Sequence, residues 1–396
     1  MTHAPTRAGL DRLHDAMADR VARGELPGLV TLVGYEDDVH VDPIGTLAFG
    51  RDEPMRRDTL FRIASLTKPV VAATALTLVD DGVLTLDEPV DRFLPELADR
   101  RVLARIDGPL DETVPALRPN TLDDLLSMRM GFGMLTEPTF NPPFPIVRAS
   151  EELDLELGPP VPRTPHPPDE WMRRFGTLPL MVQPGERWQY NVSFMVLGVL
   201  IARAAGQPLD EVVRARMLEP LGMADTGFAL PADEADRLPV RYMTDPTTGT
   251  LERQDADGAD LWTRPAVFPS GSAGLLSTVD DYQAFVQMLA NRGRHKGDRV
   301  LSEQAVRLMT TNRLTAAQVD GAGLLLNGLG WGYGVSVSVV ADEISDTPGR
   351  YGWDGGSGTT WCNDPASGRI AIALSQTSDF IFNGSREEFA RLALHA

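Results

Sequence analysis

The chain has 396 residues, of which 42% are hydrophobic and 23% charged, and its formal net charge is −19. This composition is ordinary for a globular protein of one large two-lobed unit or of two domains, and it argues against a disordered or fibrous chain. An acidic surface repels phosphate backbones and anionic lipid headgroups, so neither nucleic acid nor a membrane surface is an expected partner.

The first 50 residues predict a helix followed by a hairpin. Apolar residues recur at spacings of three and four from Leu10 to Val21, which is typical of an amphipathic helix ending before Gly24. Gly28–Tyr35 and Val39–Phe49 are rich in Leu, Val and Ile and predict two strands. The N-terminus has no apolar run resembling a signal peptide, and no window reaches the roughly 20 apolar residues that span a bilayer. A cytoplasmic protein is therefore expected.

The middle of the chain is predicted to be mainly helical. Lys68–Val79 is dense in Ala, Val and Leu, which indicates a helix buried on nearly every side. Ser193 is a candidate N-cap for one of the helices that follow. These shorter helices are predicted at Thr121–Met128, Asp169–Phe175, Phe194–Ala205 and Leu209–Leu218.

A proline-rich insertion runs from residue 137 to residue 168. Proline lacks a backbone N–H and interrupts helices and sheets, so the insertion is predicted to have no regular structure. Long loops of this kind are usually either walls over a functional site or disordered linkers, and both interpretations remain open.

The last third of the chain predicts one helix and further strands. The helix is predicted at Asp280–Asn291, and the strands at Gly334–Ala341, Arg350–Trp353, Thr359–Asn363 and Arg369–Gln376. Because strands cluster at both ends of the chain, we expect an α+β fold in which they form one antiparallel sheet covered by the terminal helices. Residues 1–80 and 265–396 would form this lobe, residues 81–264 a mostly helical lobe, and the active site would lie between them.

Ser65 and Lys68 are the first candidate catalytic pair. Their spacing of three places both side chains on one face of a helix. A serine hydroxyl is a poor nucleophile until a neighbour accepts its proton, and a lysine accepts it where desolvation lowers the lysine pKa. A helix N-terminus also suits a developing oxyanion. The spacing alone arises by chance in chains of this length, so an ordinary helix start fits it equally well.

Three short motifs stand out along the chain: Ser65-Leu66-Thr67-Lys68, Tyr190-Asn191-Val192 and Trp353-Asp354-Gly355-Gly356. Taken together, these motifs resemble those of class C β-lactamases, penicillin-binding proteins and family VIII carboxylesterases with their related acyltransferases. Segments 221–228, 272–278 and 328–334 are also similar to this superfamily. The resemblance implies a β-lactamase/transpeptidase-like fold.

The resemblance implies a role for each motif residue. Ser65 would attack the acyl carbonyl, and Lys68 with Tyr190 would move the proton, Tyr190 acting as base toward Ser65 and later as acid toward the leaving group. The backbone N–H groups of Ser65 and Gly356 would form the oxyanion hole. The expected substrate-binding residues are Asn191, Val192, Trp353, Asp354 and Gly355.

Two departures from the class C pattern bear on the substrate. Val192 stands where those enzymes carry an Asn that contacts the substrate amide, and Asn191 beside it is a possible replacement. Trp353, followed by Asp354, stands where they carry a Lys that binds the β-lactam carboxylate. An apolar ring in place of a cation disfavours an anionic β-lactam and favours a neutral ester or a bulky acyl group, as in family VIII esterases.

Other catalytic chemistries have no signature in the chain. There is no Gly-x-Ser-x-Gly elbow, no His-Glu-x-x-His and no phosphate-binding glycine motif, even in the glycine-dense segment 328–334. The single cysteine, Cys362, excludes an intrachain disulfide and a cysteine-based zinc site. No metal or other cofactor is expected.

Four interpretations of the function remain open at this point. The first is a serine carboxylesterase that hydrolyses a small-molecule ester through a Ser65 acyl-enzyme. The second is an acyltransferase of a natural-product pathway that passes the same acyl group to an amine or alcohol acceptor. A β-lactamase or D-amino-acid peptidase is less favoured, and a non-catalytic binding protein conflicts with the intact Ser65, Lys68 and Tyr190. The acyl group, the leaving group and the oligomeric state are not encoded in these motifs.

Overall fold

The computed structural model describes residues 4–155, 157, 164–254 and 261–396. Within these residues the helices are α1 (Arg7–Ala22), α2 (Thr67–Asp80), α3 (Leu122–Leu126), α4 (Pro145–Glu152), α5 (Pro168–Phe175), α6 (Val192–Ala205), α7 (Leu209–Val213), α8 (Glu219–Leu221), α9 (Val279–Ala290), α10 (Glu303–Met309), α11 (Ala316–Gly321), α12 (Gly323–Leu326) and α13 (Ser385–Leu394). The strands are β1 (Gly28–Tyr35), β2 (Asp38–Gly45), β3 (Phe61–Arg62), β4 (Arg101–Leu103), β5 (Thr113–Pro115), β6 (Tyr242–Thr244), β7 (Leu251–Arg253), β8 (Leu276–Ser277), β9 (Arg294–His295), β10 (Asp298–Arg299), β11 (Gly330–Trp331), β12 (Ser336–Val337), β13 (Tyr351–Gly355), β14 (Thr359–Asp364) and β15 (Arg369–Ser375).

Strands from the two ends of the chain form one seven-stranded antiparallel sheet, in the order β11-β12-β13-β14-β15-β1-β2. β1 pairs with β15 from Leu29 opposite Ser375 to Tyr35 opposite Arg369, so the N-terminal hairpin is added to the C-terminal strands. β1 is almost wholly buried, as its apolar sequence requires, whereas β2 is the exposed edge and carries Pro43. The predicted α+β fold with a shared antiparallel sheet is confirmed.

The two faces of the sheet pack against different helices. Along β1, Leu29 and Val33 lie in a core with α1 and α13, while Val30 and Leu32 lie in the main core with α2. This division follows the two-residue period of a strand, whose successive side chains point to opposite faces. β1 therefore separates the terminal helices from the core that holds α2.

α2 lies at the centre of the main core and carries Lys68 in its first turn. Nearly all of its residues are buried, which agrees with the apolar composition of Lys68–Val79, and it packs against α6. A helix held on every side fixes the position of its first turn. The local fold thus fixes Lys68 in the first turn of α2, directly after the turn that contains Ser65.

Two sequence predictions about local structure are wrong. The proline-rich insertion contains a regular helix, α4, because Pro145 occupies the first turn, where a missing N–H costs nothing. Residues 156 and 158–163 of this insertion lie outside the described residues. Ser193 is not an N-cap, since α6 begins at Val192 and its N-cap residue is Asn191.

Several predicted segments are shorter as regular structure than the sequence suggested, among them Val39–Phe49, in which the strand ends at Gly45. Strand structure in Gly334–Ala341 is limited to Ser336–Val337. The predicted helix Leu209–Leu218 is α-helical to Val213 and continues as one π-helical turn. The division into an α/β lobe and a helical lobe stays a prediction.

Within the described residues, no single helix is long and apolar enough to cross a membrane. Val192–Ala205 and Leu209–Leu221 reach the required length and composition only as a pair, and this pair is bent by 79° at its break. α6 itself is buried along most of its length.

Candidate active site

The segment that carries Ser65 is held by hydrogen bonds on both sides of it, beginning with the Ile63 N–H, which donates to the Leu275 carbonyl. Ser65 lies in a short 3₁₀ turn, Ala64–Leu66, that leads directly into α2. The turn is entered through Ala64 at a φ of 46°, a left-handed conformation that is strained for a residue with a Cβ. Thr67 Oγ1 accepts hydrogen bonds from the N–H groups of Gly274 and Leu275, both at 3.1 Å. Ser65 is therefore held rigidly, with 8% of its surface exposed.

Lys68 lies within hydrogen-bond distance of Ser65 and is completely buried. Its Nζ is 2.9 Å from Ser65 Oγ, 2.7 Å from the Ser272 carbonyl and 3.1 Å from Asn191 Oδ1. Burial holds the pKa of Lys68 well below its usual range, because desolvation disfavours the charged form. Burial thus favours loss of the proton from Lys68, relative to a lysine in water.

Tyr190 completes the cluster around the Ser65 hydroxyl. Its ring covers Lys68, with Nζ 4.4 Å from the ring centroid. Burial raises the pKa of Tyr190 above its usual value, and hydrogen bonds from Ser65 and Trp353 offset only part of that effect. The phenol is therefore protonated at neutral pH and has a proton available for transfer.

Trp353 lies against Tyr190 and donates a hydrogen bond to it. The indole Nε1 is 2.8 Å from Tyr190 Oη, and the two rings are tilted with centroids 5.6 Å apart. Trp331 packs edge-on against Trp353 with centroids 4.7 Å apart. The indole N–H gives Tyr190 a neutral donor, so the site gains orientation here without gaining a charge.

β13 ends at Gly355 and is followed by Gly356, and these two glycines have different surroundings. A Cβ on Gly355 would lie 2.3 Å from the Ile63 carbonyl and 2.2 Å from Thr359 Oγ1. A Cβ on Gly356 would meet no atom within 4 Å. Only glycine allows β13 to approach the nucleophile segment this closely, and the space at Gly356 is open. The backbone of Gly356 therefore borders free space beside the turn that carries Ser65.

The other predicted substrate-binding residues face in different directions. Val192 is buried in the main core at the start of α6, with 1% of its surface exposed. Asp354 accepts a hydrogen bond from Thr360 Oγ1 at 2.6 Å and forms an ion pair with Arg386 of α13. Neither contact brings these two side chains to Ser65 in the structure, so their substrate-binding role stays a prediction.

Sequence reasoning missed two acceptors for Lys68, the Ser272 carbonyl and the Asn191 side chain. A backbone carbonyl has no sequence signal, and Asn191 was expected to face the substrate. One sequence signal was available for Lys68. Lys68 and Lys296 are the two lysines of the chain, and arginine supplies the other permanent side-chain cations. Since arginine does not lose its proton in proteins, a lysine at a buried position indicates a need for the neutral form.

Comparisons with known proteins show the family to which the chain belongs. The profile of the Beta-lactamase family matches residues 13–395. Protein Rv1367c of Mycobacterium tuberculosis is 40% identical over 366 residues, which are 89% of this chain and 86% of that protein. Esterase EstB of Burkholderia gladioli is 32% identical over 386 residues, covering 92% and 90% of the two chains.

The fold agrees with a solved structure as well. The structure of EstCE1, a hydrolase with promiscuous acyltransferase activity, has a TM-score of 0.80 and covers 98% of this chain and 99% of its own, at 22% identity. At this identity the likeness shows the fold alone. Because the family profile spans nearly the whole length, the chain belongs to the beta-lactamase family, and its relatives there include esterases and acyltransferases.

Proposed function

We propose that the chain is a serine hydrolase that cleaves carboxylic esters through an acyl-enzyme on Ser65. The observation that carries the proposal is the 2.9 Å contact between Ser65 Oγ and the buried Nζ of Lys68. A neutral lysine at this distance activates a serine hydroxyl without a histidine. The name of EstB, an esterase at 32% identity, supports the same substrate class.

The proposed first half-reaction starts with the lone pair of Lys68. Lys68, rather than Tyr190 as expected from the resemblance, takes the proton of Ser65 as Oγ forms a bond to the acyl carbon, because burial raises the pKa of Tyr190 and keeps its phenol protonated. The backbone N–H groups of Ser65 and Gly356 stabilise the oxyanion that develops on the carbonyl oxygen. When the tetrahedral intermediate collapses, the C–O bond to the alcohol breaks, and the Lys68–Tyr190 pair returns the proton to the leaving oxygen.

The proposed second half-reaction repeats these steps with water. Lys68 and Tyr190 take a proton from the attacking water, and the same N–H groups hold the second oxyanion. The bond from the acyl carbon to Ser65 Oγ then breaks, and Oγ recovers its proton. The free enzyme and a carboxylic acid result.

The charges around the site favour a neutral ester over an anionic β-lactam. Trp353 presents an indole N–H where class C β-lactamases present a lysine, and that N–H is directed at Tyr190. Arg386, which lies beyond β13, is already paired with Asp354 and Glu387. A substrate carboxylate would therefore be desolvated without gaining a cation from these groups, which is costly.

A second candidate function is acyl transfer to an alcohol or amine through the same acyl-enzyme. The observation that favours it is the contact of Leu157, within the proline-rich insertion, with the Asn191 side chain at 3.5 Å. Leu157 is thus separated from Lys68 only by the Asn191 side chain, which contacts both. This position suits an acceptor site. The ratio of aminolysis to hydrolysis, measured over a series of added nucleophiles, decides between the functions. A ratio that only follows solution nucleophilicity argues for hydrolysis.

The proposed function is tested by trapping the acyl-enzyme. Wild-type protein mixed with a slowly hydrolysed aryl ester is expected to gain the mass of one acyl group, on the peptide that contains Ser65. A fluorophosphonate is expected to label the same peptide and to stop ester turnover. Acylation at another residue, or no ester turnover at any pH, would contradict the proposal.

The contact between Gly355 and the nucleophile segment gives a further prediction. Because an added Cβ would overlap the Ile63 carbonyl, Gly355→Ala must push β13 away from the turn that holds Ser65. A displacement near 1 Å costs about 100-fold in rate, so kcat/KM for the aryl ester is expected to fall by that factor. The melting temperature is also expected to fall.

Gly356→Ala is the matched control for the structural part of this prediction. Its Cβ would enter open space, so its melting temperature is expected to equal that of the wild type. If Gly355→Ala has the melting temperature and the kcat/KM of the wild type, the close approach of β13 has no role in the site.

A further inference from the structure

A cavity of about 350 Å³ lies beside β3, the strand that leads into the Ser65 turn. Among the described residues, its lining includes Arg62 of β3 and none of Ser65, Lys68 and Tyr190. The other walls come from the loop after β2, from the 3₁₀ turn Ala232–Arg237 with the residues that follow it, and from the end of β7. A cavity of this volume is large enough for a small organic ligand.

Backbone hydrogen bonds hold the walls of this cavity together. The Val240 N–H donates to the Leu47 carbonyl at 3.0 Å, and the Leu47 N–H donates to the Glu53 carbonyl at 2.9 Å. The Leu60 N–H, at the start of the β3 wall, donates to the Arg237 carbonyl at 3.1 Å. Because these bonds already join the walls, a ligand would lose little free energy to ordering them.

Arg62 is the most buried cation of the lining, with 3% of its surface exposed. Its Nη1 donates to the Pro239 carbonyl at 2.8 Å and to Gln376 Oε1 at 3.0 Å. The guanidinium also lies over the Trp262 ring, 5.7 Å from the ring centroid. These contacts fix the orientation of the guanidinium, and an arginine keeps its charge at every physiological pH. The cavity therefore has a permanent, oriented cation in one wall.

Two further arginines, Arg51 and Arg253, line the same cavity and are exposed. Within the part of the chain that the structure describes, neither of them forms a side-chain hydrogen bond or an ion pair, although Glu53 and Asp236 also line the cavity. Three arginines and two carboxylates give the lining a formal charge of +1. A bound monoanion would neutralise that charge, whereas a dianion would reverse it.

The remaining lining of the cavity is apolar. Ala48, Leu238, Pro239 and Val240 are buried there, and Leu47 is half-buried. Apolar surface beside cations suits a ligand that has an anionic end and an apolar end. A carboxylate accepts charge-assisted hydrogen bonds from guanidinium groups, and an attached chain would gain free energy by leaving water.

We propose that this cavity binds a small organic monoanion, namely a carboxylate with a short apolar chain. The carboxylate lies among Arg51, Arg62 and Arg253, and the chain lies against the apolar wall. The acid that the proposed ester hydrolysis releases belongs to the same chemical class. Binding is measured without turnover, so its test is independent of the proposed function.

Isothermal titration calorimetry with three probes of equal chain length tests the site. Octanoate is expected to bind the wild-type protein saturably. Octanamide has nearly the same shape but no charge, and it is expected to bind at least about tenfold more weakly. Octyl phosphate, whose charge at neutral pH is about −1.5 to −2, is also expected to bind more weakly than octanoate.

Variants of the exposed charges locate the bound octanoate. Arg51→Ala and Arg253→Ala are each expected to weaken octanoate binding about threefold, and the double variant about tenfold, since exposed charge pairs are individually modest. Glu53→Gln removes a like charge and is expected to strengthen octanoate binding about threefold. A purely structural role of Glu53 would not produce this gain. Arg294→Ala, on exposed β9 and outside the lining, is the matched control and is expected to bind like the wild type.

Three results would overturn the proposed site. The first is octanoate binding that is absent, or that is the same in the Arg51→Ala and Arg253→Ala double variant as in the wild type, as binding at Ser65 alone would give. The second is equal affinity for octanoate and octanamide, and the third is tighter binding of octyl phosphate than of octanoate. Absence of ester turnover in a protein that binds octanoate as expected would contradict the proposed function and not the site.

Discussion

Ser65→Ala is expected to lower ester turnover by about 10⁴-fold or more, to the level of the uncatalysed reaction assisted only by binding. Alanine removes the one atom that the proposed reaction makes into an acyl ester. Lys68 and Tyr190 then have no nucleophile to activate, and the backbone N–H groups have no oxyanion to stabilise. Initial rates with a short-chain aryl ester, measured over a range of pH, give the factor.

The control for this prediction is Ser367→Ala. Ser367 lies in the turn between β14 and β15, where its Oγ accepts from the Arg369 N–H at 3.4 Å, outside the site. It is expected to retain wild-type turnover and fluorophosphonate labelling. If Ser65→Ala turns over ester as fast as Ser367→Ala, the nucleophile has been misassigned.

The contact between Ser65 and Lys68 was predictable because it is local. Residues three apart on a helix share a face, so the spacing alone placed the two side chains together. The assignment of Tyr190 and Gly356 to the site came from the motif resemblance. Nothing in the sequence around either residue indicates that distant strands and helices converge on Ser65. The sheet was predictable because its strands have long apolar runs, and β1 matched its predicted bounds of Gly28–Tyr35.

Two features were not predictable from the sequence for physical reasons. The direction of the Asn191 side chain depends on the backbone of that residue, whose φ of 82° has no signal in an asparagine followed by a valine. The helix α4 was missed because proline was treated as an interruption, although Pro145 is well suited to a first helical turn. In both cases a single backbone conformation decides the outcome, and tertiary packing selects it.

Asp354 illustrates a third limit of sequence reasoning. Its neighbour Trp353 contacts Tyr190, and the alternation of a strand sends Asp354 to the opposite face, where it pairs with Arg386. Motif adjacency had grouped the two as substrate-binding residues. Strand geometry separates them, so adjacent motif residues need not share a role.

Lys68→Met is expected to lower the rate of Ser65 acylation by about 10³-fold, because methionine has similar length but no lone pair with comparable basicity. The rate of fluorophosphonate labelling measures this step without the later hydrolysis. Lys296→Met, in an exposed turn, supplies the matched control and is expected to label like the wild type.

Lys68→Met is also expected to change how the free energy of unfolding depends on pH. In the unfolded chain, lysine binds its proton up to a pKa of about 10.4, whereas burial lowers the pKa of Lys68 in the native state. Between those two values the unfolded state binds more protons, so the free energy of unfolding of the wild type rises with pH across this window. Lys68→Met removes that contribution, and its stability is expected to rise less with pH than the wild type's.

The slope of the free energy of unfolding against pH tests the protonation state of Lys68. The absolute value of that free energy does not. Methionine also leaves the Ser272 carbonyl and Asn191 Oδ1 without a donor, and each loss costs about 1–3 kcal/mol at every pH. That cost shifts the whole curve and does not alter its slope. Urea unfolding of wild type, Lys68→Met and Lys296→Met from pH 6 upward therefore isolates the contribution that the Lys68 proton makes to the pH dependence of stability. Parallel curves for wild type and Lys68→Met would mean that Lys68 is an ammonium in the native protein, and the neutral base on which acylation of Ser65 depends would not exist.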